Sequence, residues 1–351
     1  MPDLLGKRPA SRCKRPATHG RRRPDECTFY TQNCLGAKTE TRVTEIVSTC
    51  RSRHTFAAFL QETWRKGKEL KQCDGGFMFI GVGPDTQQRR GTKGVAILLS
   101  ATAVAAWKAA GSIVHDDFGP RVLAVPLSVK DSQSDKRLDV LLVSAYAPVS
   151  SAAAEEWDEY YDALSRAIAT APAGATVLVG TDANASIGRG RLGGPADDHA
   201  GAVGPFGIEH MNASGRQLRT FLETQKLASL ASFFNKKYYG TWQHPRSKSM
   251  YQLDHILVTR SDLMRFTDAG SVSGQLVGSD HRALRCKMRI RCTLGRSAKP
   301  APRSLLARLD HAYLSHGRFG LDGQSERKEA FARDVVAAAA AASPPLPRDK
   351  K

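Results

Sequence analysis

Gln252-Leu253-Asp254-His255-Ile256-Leu257-Val258 and, further along, Ser279-Asp280-His281-Arg282-Ala283-Leu284 are the two words that decide how this chain is read. In each, an acidic residue stands at the mouth of an apolar, strand-like run. The second word places a metal-capable carboxylate, Asp280, beside an imidazole, His281, that can serve phosphate chemistry. The first supplies another carboxylate, Asp254, able to orient that imidazole and hold its charge. Asp-His pairs also arise by chance, so the two words gain meaning only if the rest of the chain supplies the missing parts of a site.

Working outward, the β candidates Thr28–Asn33, Phe56–Gln61, Gly94–Ser100, Arg121–Val129, Leu138–Tyr146, Val177–Gly180, Leu227–Phe233 and Tyr251–Thr259 are rich in Val, Leu, Ile and Phe. Val43, Ile46, Val47 and Cys50 have helical spacing. Ala152–Ala171 reads as an amphipathic helix with Trp157, Tyr160, Tyr161, Leu164 and Ile168 on its inner side, and Leu218, Phe221 and Leu222 mark another. From Arg282 to Cys292 apolar and basic residues alternate, as in a half-buried strand with a cationic outer row. Solvation, or protection of an edge against pairing, accounts for that row better than phosphate contact does. The expected fold class is α/β.

Asn33, Glu62, Asp182 with Asn184, and Asp280 share one property: each is expected just past the end of an apolar strand. Strand ends gather at a rim, where loops build sites. Hard cations such as Mg²⁺ or Mn²⁺ take oxygen ligands, typically one or two carboxylates with waters and a substrate phosphate. Glu62 and Asp280 suit that role. Asp182 suits positioning and deprotonating a water, Asn184 donating to a phosphate oxygen, and His281 stabilising charge that builds on phosphorus oxygens.

The chain has 351 residues, 41% of them hydrophobic and 25% charged, with a formal charge of +18. That composition suits a soluble globular protein and a polyanionic partner, with nucleic acid the leading case. Residues 1–26 hold 8 Lys/Arg against 3 Asp/Glu, and residues 293–351 hold 11 against 6. We read 1–26 as a disordered basic arm with nuclear-import character, 27–292 as the ordered domain, and 293–351 as a basic, Ala/Pro-rich tail with a helix over Ser325–Ala342. Cys13, Cys27, Cys34, Cys50, Cys73, Cys286 and Cys292 are odd in number and form no zinc-spaced pair, which favours free thiols in a reducing compartment. No secretory signal is expected, and Gly94–Trp107 is too short to span a membrane. These features predict an intracellular, nuclear or nucleocytoplasmic protein with no membrane association.

Eight words in order carry a resemblance: Tyr30-Thr31-Gln32-Asn33-Cys34-Leu35, Leu60-Gln61-Glu62-Thr63-Trp64, Gly94-Val95-Ala96-Ile97-Leu98, Ser144-Ala145-Tyr146-Ala147-Pro148, Gly180-Thr181-Asp182-Ala183-Asn184-Ala185, Gly240-Thr241-Trp242, Leu253-Asp254-His255-Ile256 and Ser279-Asp280-His281. Together they resemble the endonuclease/exonuclease/phosphatase superfamily, nearest its LINE-type retrotransposon and apurinic endonuclease members. Gly207–Leu227, with Asn212 and Gly215, also resembles the Asn-x-x-Gly-x-x-Leu helix entry of the retrotransposon group.

The resemblance implies a DNase I-like two-sheet α/β sandwich with helices packed outside. It implies Glu62 as metal ligand with Asn33 and Asp280 close by, and Asp182 activating water beside Asn184. It also implies Tyr146 near the phosphate, and His281 paired with Asp254. Trp242 fits core packing better than base contact. Two departures stand out: Gly-Asp-Phe-Asn becomes Gly-Thr-Asp-Ala-Asn, and His255 stands where an aromatic is usual, read as a strand neighbour. The implied activity is a Mg²⁺-dependent phosphodiesterase (Mn²⁺ as substitute) that nicks DNA to leave a 3′-hydroxyl, as in retrotransposon target nicking, with no small-molecule cofactor. An inositol-phosphate or lipid phosphatase, and a non-catalytic nucleic-acid-binding relic, are the alternatives. No reverse-transcriptase signature follows Cys292, which suits a piece or relic of a longer element, or a host-retained nuclease.

Overall fold

The computed structural model describes residues 26–85, 93–132, 134–190 and 201–291. The chain divides into Met1–Leu294 and Gly295–Lys351, and the second unit lies outside the described residues. So do the basic arm through residue 25, the tail helix, Cys13, Cys292 and residues 191–200.

In chain order the first run is β1 (Cys27–Asn33), α1 (Glu40–Ser52), β2 (Thr55–Gln61), β3 (Lys68–Cys73), β4 (Phe77–Val82), β5 (Val95–Leu99) and α2 (Ala101–Ala109). Next come β6 (Val122–Asp131), β7 (Arg137–Tyr146), α3 (Ala154–Ala169), β8 (Thr176–Asp182), α4 (Ala213–Thr224) and β9 (Leu227–Ser229). The last run is β10 (Trp242–Gln243), β11 (Met250–Tyr251), β12 (Asp254–Thr259), β13 (Phe266–Ser271), β14 (Leu284–Met288) and β15 (Ile290–Arg291).

Two sheets form, ordered β13-β14-β1-β2-β5-β4-β3 and β15-β6-β7-β8-β12-β9, with β10-β11 as a small hairpin. Alternation along the strands explains how they stack. On β5, Val95, Ile97 and Leu99 join the central core shared by both sheets, while Ala96 and Leu98 face the cluster under α1. On β8, Leu178 points to the central core and Val177 and Val179 point to the cluster under α3 and α4. A side-chain period of two thus feeds three layers of core, and the helices α1, α3 and α4 cover the outer faces. This is the two-sheet α/β sandwich.

Several elements differ from expectation. α2 continues where an apolar strand ends at Leu99: Ser100 caps it through its hydroxyl, which accepts from Ala103 N. β3 alternates half-buried with exposed, carries Lys68, Glu69 and Lys71, and sends no apolar signal. β4 and β13 were also unforeseen, and the Leu227–Phe233 strand stops at Ser229 and tightens into a 3₁₀ turn. The Tyr251–Thr259 run is two strands, broken at Gln252-Leu253, where Leu253 O accepts from Ala183 N.

The expected single strand is two strands in different sheets: β14 is internal, between β13 and β1, so Arg285 and Lys287 protect no edge, whereas β15, with Arg291, is the edge of the second sheet. The cations are engaged: Arg285 pairs with Asp268, Lys287 with Glu26 and Arg291 with Asp135, and Arg289 donates to Met264 O.

Beneath the functional rim the sheets touch at Gly180. A Cβ there would lie 2.3 Å from the Phe59 ring. Gly180→Ala is expected to overpack this contact and cost about 1–3 kcal/mol, read as a fall in Tm. An unchanged Tm would mean the sheets can part freely here.

Candidate active site

The site assembles where β1 and β2 of one sheet, and β7 and β8 of the other, reach their C-terminal ends. In sheet register Tyr146 pairs with Asp182, and Asp182 with Asp254, which sets three polar side chains across neighbouring strands. Asn33, at the end of β1, closes the gap between sheets: its Nδ2 donates to Glu62 Oε1 and to Asp182 Oδ2, both at 2.9 Å.

Glu62 follows β2 with φ 52, in the left-handed region that few non-glycine residues adopt. Three donors meet its carboxylate. Besides Asn33, Tyr146 Oη donates to Oε1 at 2.6 Å and Trp64 Nε1 to Oε2 at 3.3 Å. Burial and the charges of Glu62 and Asp182 push the Tyr146 phenol well up, so it stays a donor at neutral pH.

Asp254 and His281 form the second half. His281 Nδ1 lies 2.8 Å from Asp254 Oδ2, with both side chains buried. Burial pulls the imidazole pKa down, but Asp254 first and Asp182 second more than offset this and raise it to about 10. Asp182, fully buried, is driven the other way from a normal carboxyl: loss of water and then Asp254 raise it to about 7, against the lowering by His281. At neutral pH the imidazole is therefore a cation set between Asp254 and Asp182.

Asp182, Asp254 and His281 each offer a ligand atom, and these lie within 4.8 Å of one another. Asp254 Oδ1 is buried without a hydrogen-bond partner. A buried carboxylate oxygen with no donor, in an oxygen-rich cluster, fits a nearby hard cation. A protonated imidazole cannot ligate one, so within this cluster the carboxylate oxygens are the metal-compatible atoms.

Of the residues nominated from sequence, Asn33, Glu62, Tyr146, Asp182, Asp254 and His281 meet in this network. Asn184 sits beside it at φ 47, its N donating to Asp182 Oδ1 at 3.1 Å and its Nδ2 to Ala147 O at 3.2 Å. Asp280 is exposed and follows no apolar strand, lying on the loop between β13 and β14; that expectation is corrected. Its Oδ2 accepts from Trp242 Nε1 at 3.0 Å. Trp242 is half-buried rather than a core residue, because β10 turns it toward this carboxylate and pairs it with His281. His255 is a buried strand neighbour, its ring between Ser229 Oγ (3.1 Å) and Ala185 O (2.8 Å), and burial lowers its pKa.

Sequence reasoning passed over the residues that hold these in place. Gln32 donates to Val277 O and His281 O and accepts from Leu276 N, while Gln61 donates to Ser144 Oγ and Gly180 O. Thr241 Oγ1 accepts from the amides of Leu253 and Asp254. Ser279 Oγ donates to Asn33 O and accepts from His281 N. For Gln32 and Gln61 the available signal was an uncharged polar side chain inside an apolar strand, which must find partners when buried; Thr241 and Ser279 lie outside the strands and gave no such signal.

Among the described residues, no helix is long and apolar enough to cross a membrane, and Cys34, Cys50, Cys73 and Cys286 are free thiols.

Comparison with known proteins bears on the fold and the family. Craniofacial development protein 2 of Bos taurus is 25% identical over 159 residues, which are 44% of this chain and 26% of that protein. Its Tragulus javanicus counterpart is 24% identical over the same shares. The chain thus spans about a quarter of the length of these relatives. Among solved structures, the catalytic domain of Xenopus laevis APE2 superposes with a TM-score of 0.55 at 15% identity, over 77% of this chain and 94% of that one. The AP endonuclease LMAP from Leishmania major gives 0.53 at 16%, over 75% and 88%. A 3′–5′ exonuclease, NExo, from Neisseria meningitidis gives 0.51 at 16%, over 74% and 99%. Identities this low establish the shared DNase I-like fold. The profile of the Endonuclease/Exonuclease/phosphatase family matches residues 30–281, so the chain belongs to that family.

Proposed function

We propose that this protein is a divalent-metal-dependent phosphodiesterase that nicks DNA, leaving a 3′-hydroxyl, as in the target nicking of a retroelement. One observation carries the reading: Asn33 joins Glu62 and Asp182 across the two sheets at 2.9 Å each, while Asp254 holds a cationic His281 against the same Asp182. A base, a carboxylate for a cation and a fixed positive charge then stand in one hydrogen-bonded network. Hydrolysis of a phosphodiester needs those three roles.

In this reading Asp182 takes the proton of the attacking water. His281 has Nδ1–H committed to Asp254, so Nε2–H faces the phosphate and neutralises its developing charge. Tyr146 holds Glu62 and lies near the phosphate, and Asn184 presents its remaining amide proton to a phosphate oxygen. Glu62, with Asn33 hydrogen-bonded to it, would hold Mg²⁺ or Mn²⁺ together with Asp280; Trp242 borders the substrate. When bound, the cation supplies stabilisation of the leaving oxygen. The +18 charge supports DNA as partner and a nuclear or nucleocytoplasmic setting, and the family match over residues 30–281 supports residues 27–292 as the catalytic unit.

The test is nicking of supercoiled plasmid with Mg²⁺, with Mn²⁺ and with EDTA, alongside release of phosphate from an inositol polyphosphate. Relaxed circles that form with Mg²⁺ and vanish with EDTA are expected. Phosphate release without nicking would overturn the nuclease reading.

A further inference from the structure

The loop after Asp182 runs over Ala183–Arg189 and carries Asn184 in the left-handed region. A non-glycine residue persists there only when its surroundings over-determine it. Those surroundings are largely one face of α4, whose Asn212, Gly215 and Arg219 fall on successive turns.

Asn212 does two jobs with one side chain. Its Oδ1 caps α4 by accepting from Gly215 N at 2.7 Å, and the same oxygen accepts from Ser186 N at 3.1 Å. Its backbone N donates to Ser186 O at 3.1 Å, and its Nδ2 to Asn184 O at 3.4 Å. Gly215 makes the approach possible, because a Cβ there would lie 1.9 Å from Ser186 O. One turn further, the buried Arg219 donates to Ile187 O at 2.7 Å and to Arg189 O at 2.8 Å. From the other side, the His255 ring meets Ala185 O. The carbonyls of Asn184, Ser186, Ile187 and Arg189 therefore all accept from Asn212 or Arg219.

We propose that Asn212, with Gly215 and Arg219, is a positioning device: it holds Asn184, and through the Asn184 N–Asp182 Oδ1 bond the Asp182 carboxylate, in the geometry for hydrolysis. The effect on turnover rests on the proposed nuclease function, but the brace itself does not. Helix α4 is thereby a support of the site rather than only a cover for the core.

Asn212→Asp separates the two jobs. It keeps the Oδ1 that caps the helix, since Asp caps as well as Asn does, and sets an oxygen against Asn184 O in place of the amide donor. Asn212→Ser keeps the cap with a shorter reach and serves if the Asp variant folds poorly. The expected result is a Tm within a few degrees of wild type and faster hydrogen exchange at the amides of residues 184–189. At saturating plasmid the nicking rate should fall about 10- to 100-fold, as a small misplacement of a reacting group costs, with KM within about twofold. Unchanged exchange at residues 184–189 overturns the brace, as does a rate loss that follows Tm alone. If wild type nicks nothing, the nuclease reading fails while exchange still decides the brace by itself.

Discussion

Asp182→Ala is expected to lower plasmid nicking by about 10²–10⁴-fold, the contribution of a positioned general base. The carboxylate is fully buried and receives Asn33 and Asn184, so it is held by neutral donors on two sides while burial first, and then Asp254, raise its pKa to about 7. A base must be ionised to act, so nicking rises as pH climbs through about 7. It falls again as His281 loses its proton near about 10. The two limbs belong to the coupled Asp182–Asp254–His281 group rather than to single residues.

Stability moves the opposite way. A carboxyl whose folded pKa exceeds its unfolded value of 3.8 favours the fold while protonated. That contribution is complete below about pH 3.8 and is lost as pH rises through about 7. Asp182→Asn removes the buried charge while keeping the shape, so its Tm should match wild type near pH 4 and exceed it at pH 8. Each kcal/mol recovered corresponds to roughly 2–4 °C. A loss of nicking together with a gain in Tm is the signature of a strained functional carboxylate. Full nicking by the Ala variant would end its assignment as the water-activating base.

His281→Ala has the second large effect, on both activity and folding. Removing the imidazole takes away the cation proposed to face the phosphate, and a loss of about 10²–10³ in rate is expected from deleting one such stabilising donor. It also leaves Asp254 buried with neither oxygen partnered, since Oδ1 already lacks a donor. Breaking a buried ion pair on one side costs about 3–5 kcal/mol. His281 has a raised folded pKa, so its stabilisation is complete below its unfolded value of 6.5 and disappears as pH rises through about 10. The Tm gap between wild type and His281→Ala should therefore be widest near pH 6 and narrow toward pH 10. Asp254→Asn in the same background should recover part of the lost stability and none of the nicking. A Tm gap indifferent to pH would mean that His281 is not held as a cation.

Much of the site was legible because its residues occur as words next to strands. Asp182 and Asp254 both terminate or open apolar runs, and a strand end can be read from where Val, Leu and Ile give way to polar side chains. Glu62 was legible for the same reason, at the end of Thr55–Gln61. Asp280 was misplaced on this logic, because the loop leading to β14 carries no periodic signal. α2 was missed because only Ser100 separates its Ala-rich sequence from the apolar strand before it, and β3 because its pattern is set by its edge position.

Local sequence determined which side chains could do chemistry and in what order they come, because strand periodicity and residue type are properties of a few neighbours. Which oxygen meets which donor was decided only by the stacking of two sheets. Asn33 and Asp182 are 149 positions apart, yet their side chains meet at 2.9 Å. Trp242 turns from a core residue into the partner of Asp280 through a strand pairing with His281. The Asn-x-x-Gly helix entry becomes a brace only when α4 is laid against the loop after Asp182. Long-range register, burial and the pKa shifts that follow from them are properties of the assembled rim, and no short stretch of chain carries them.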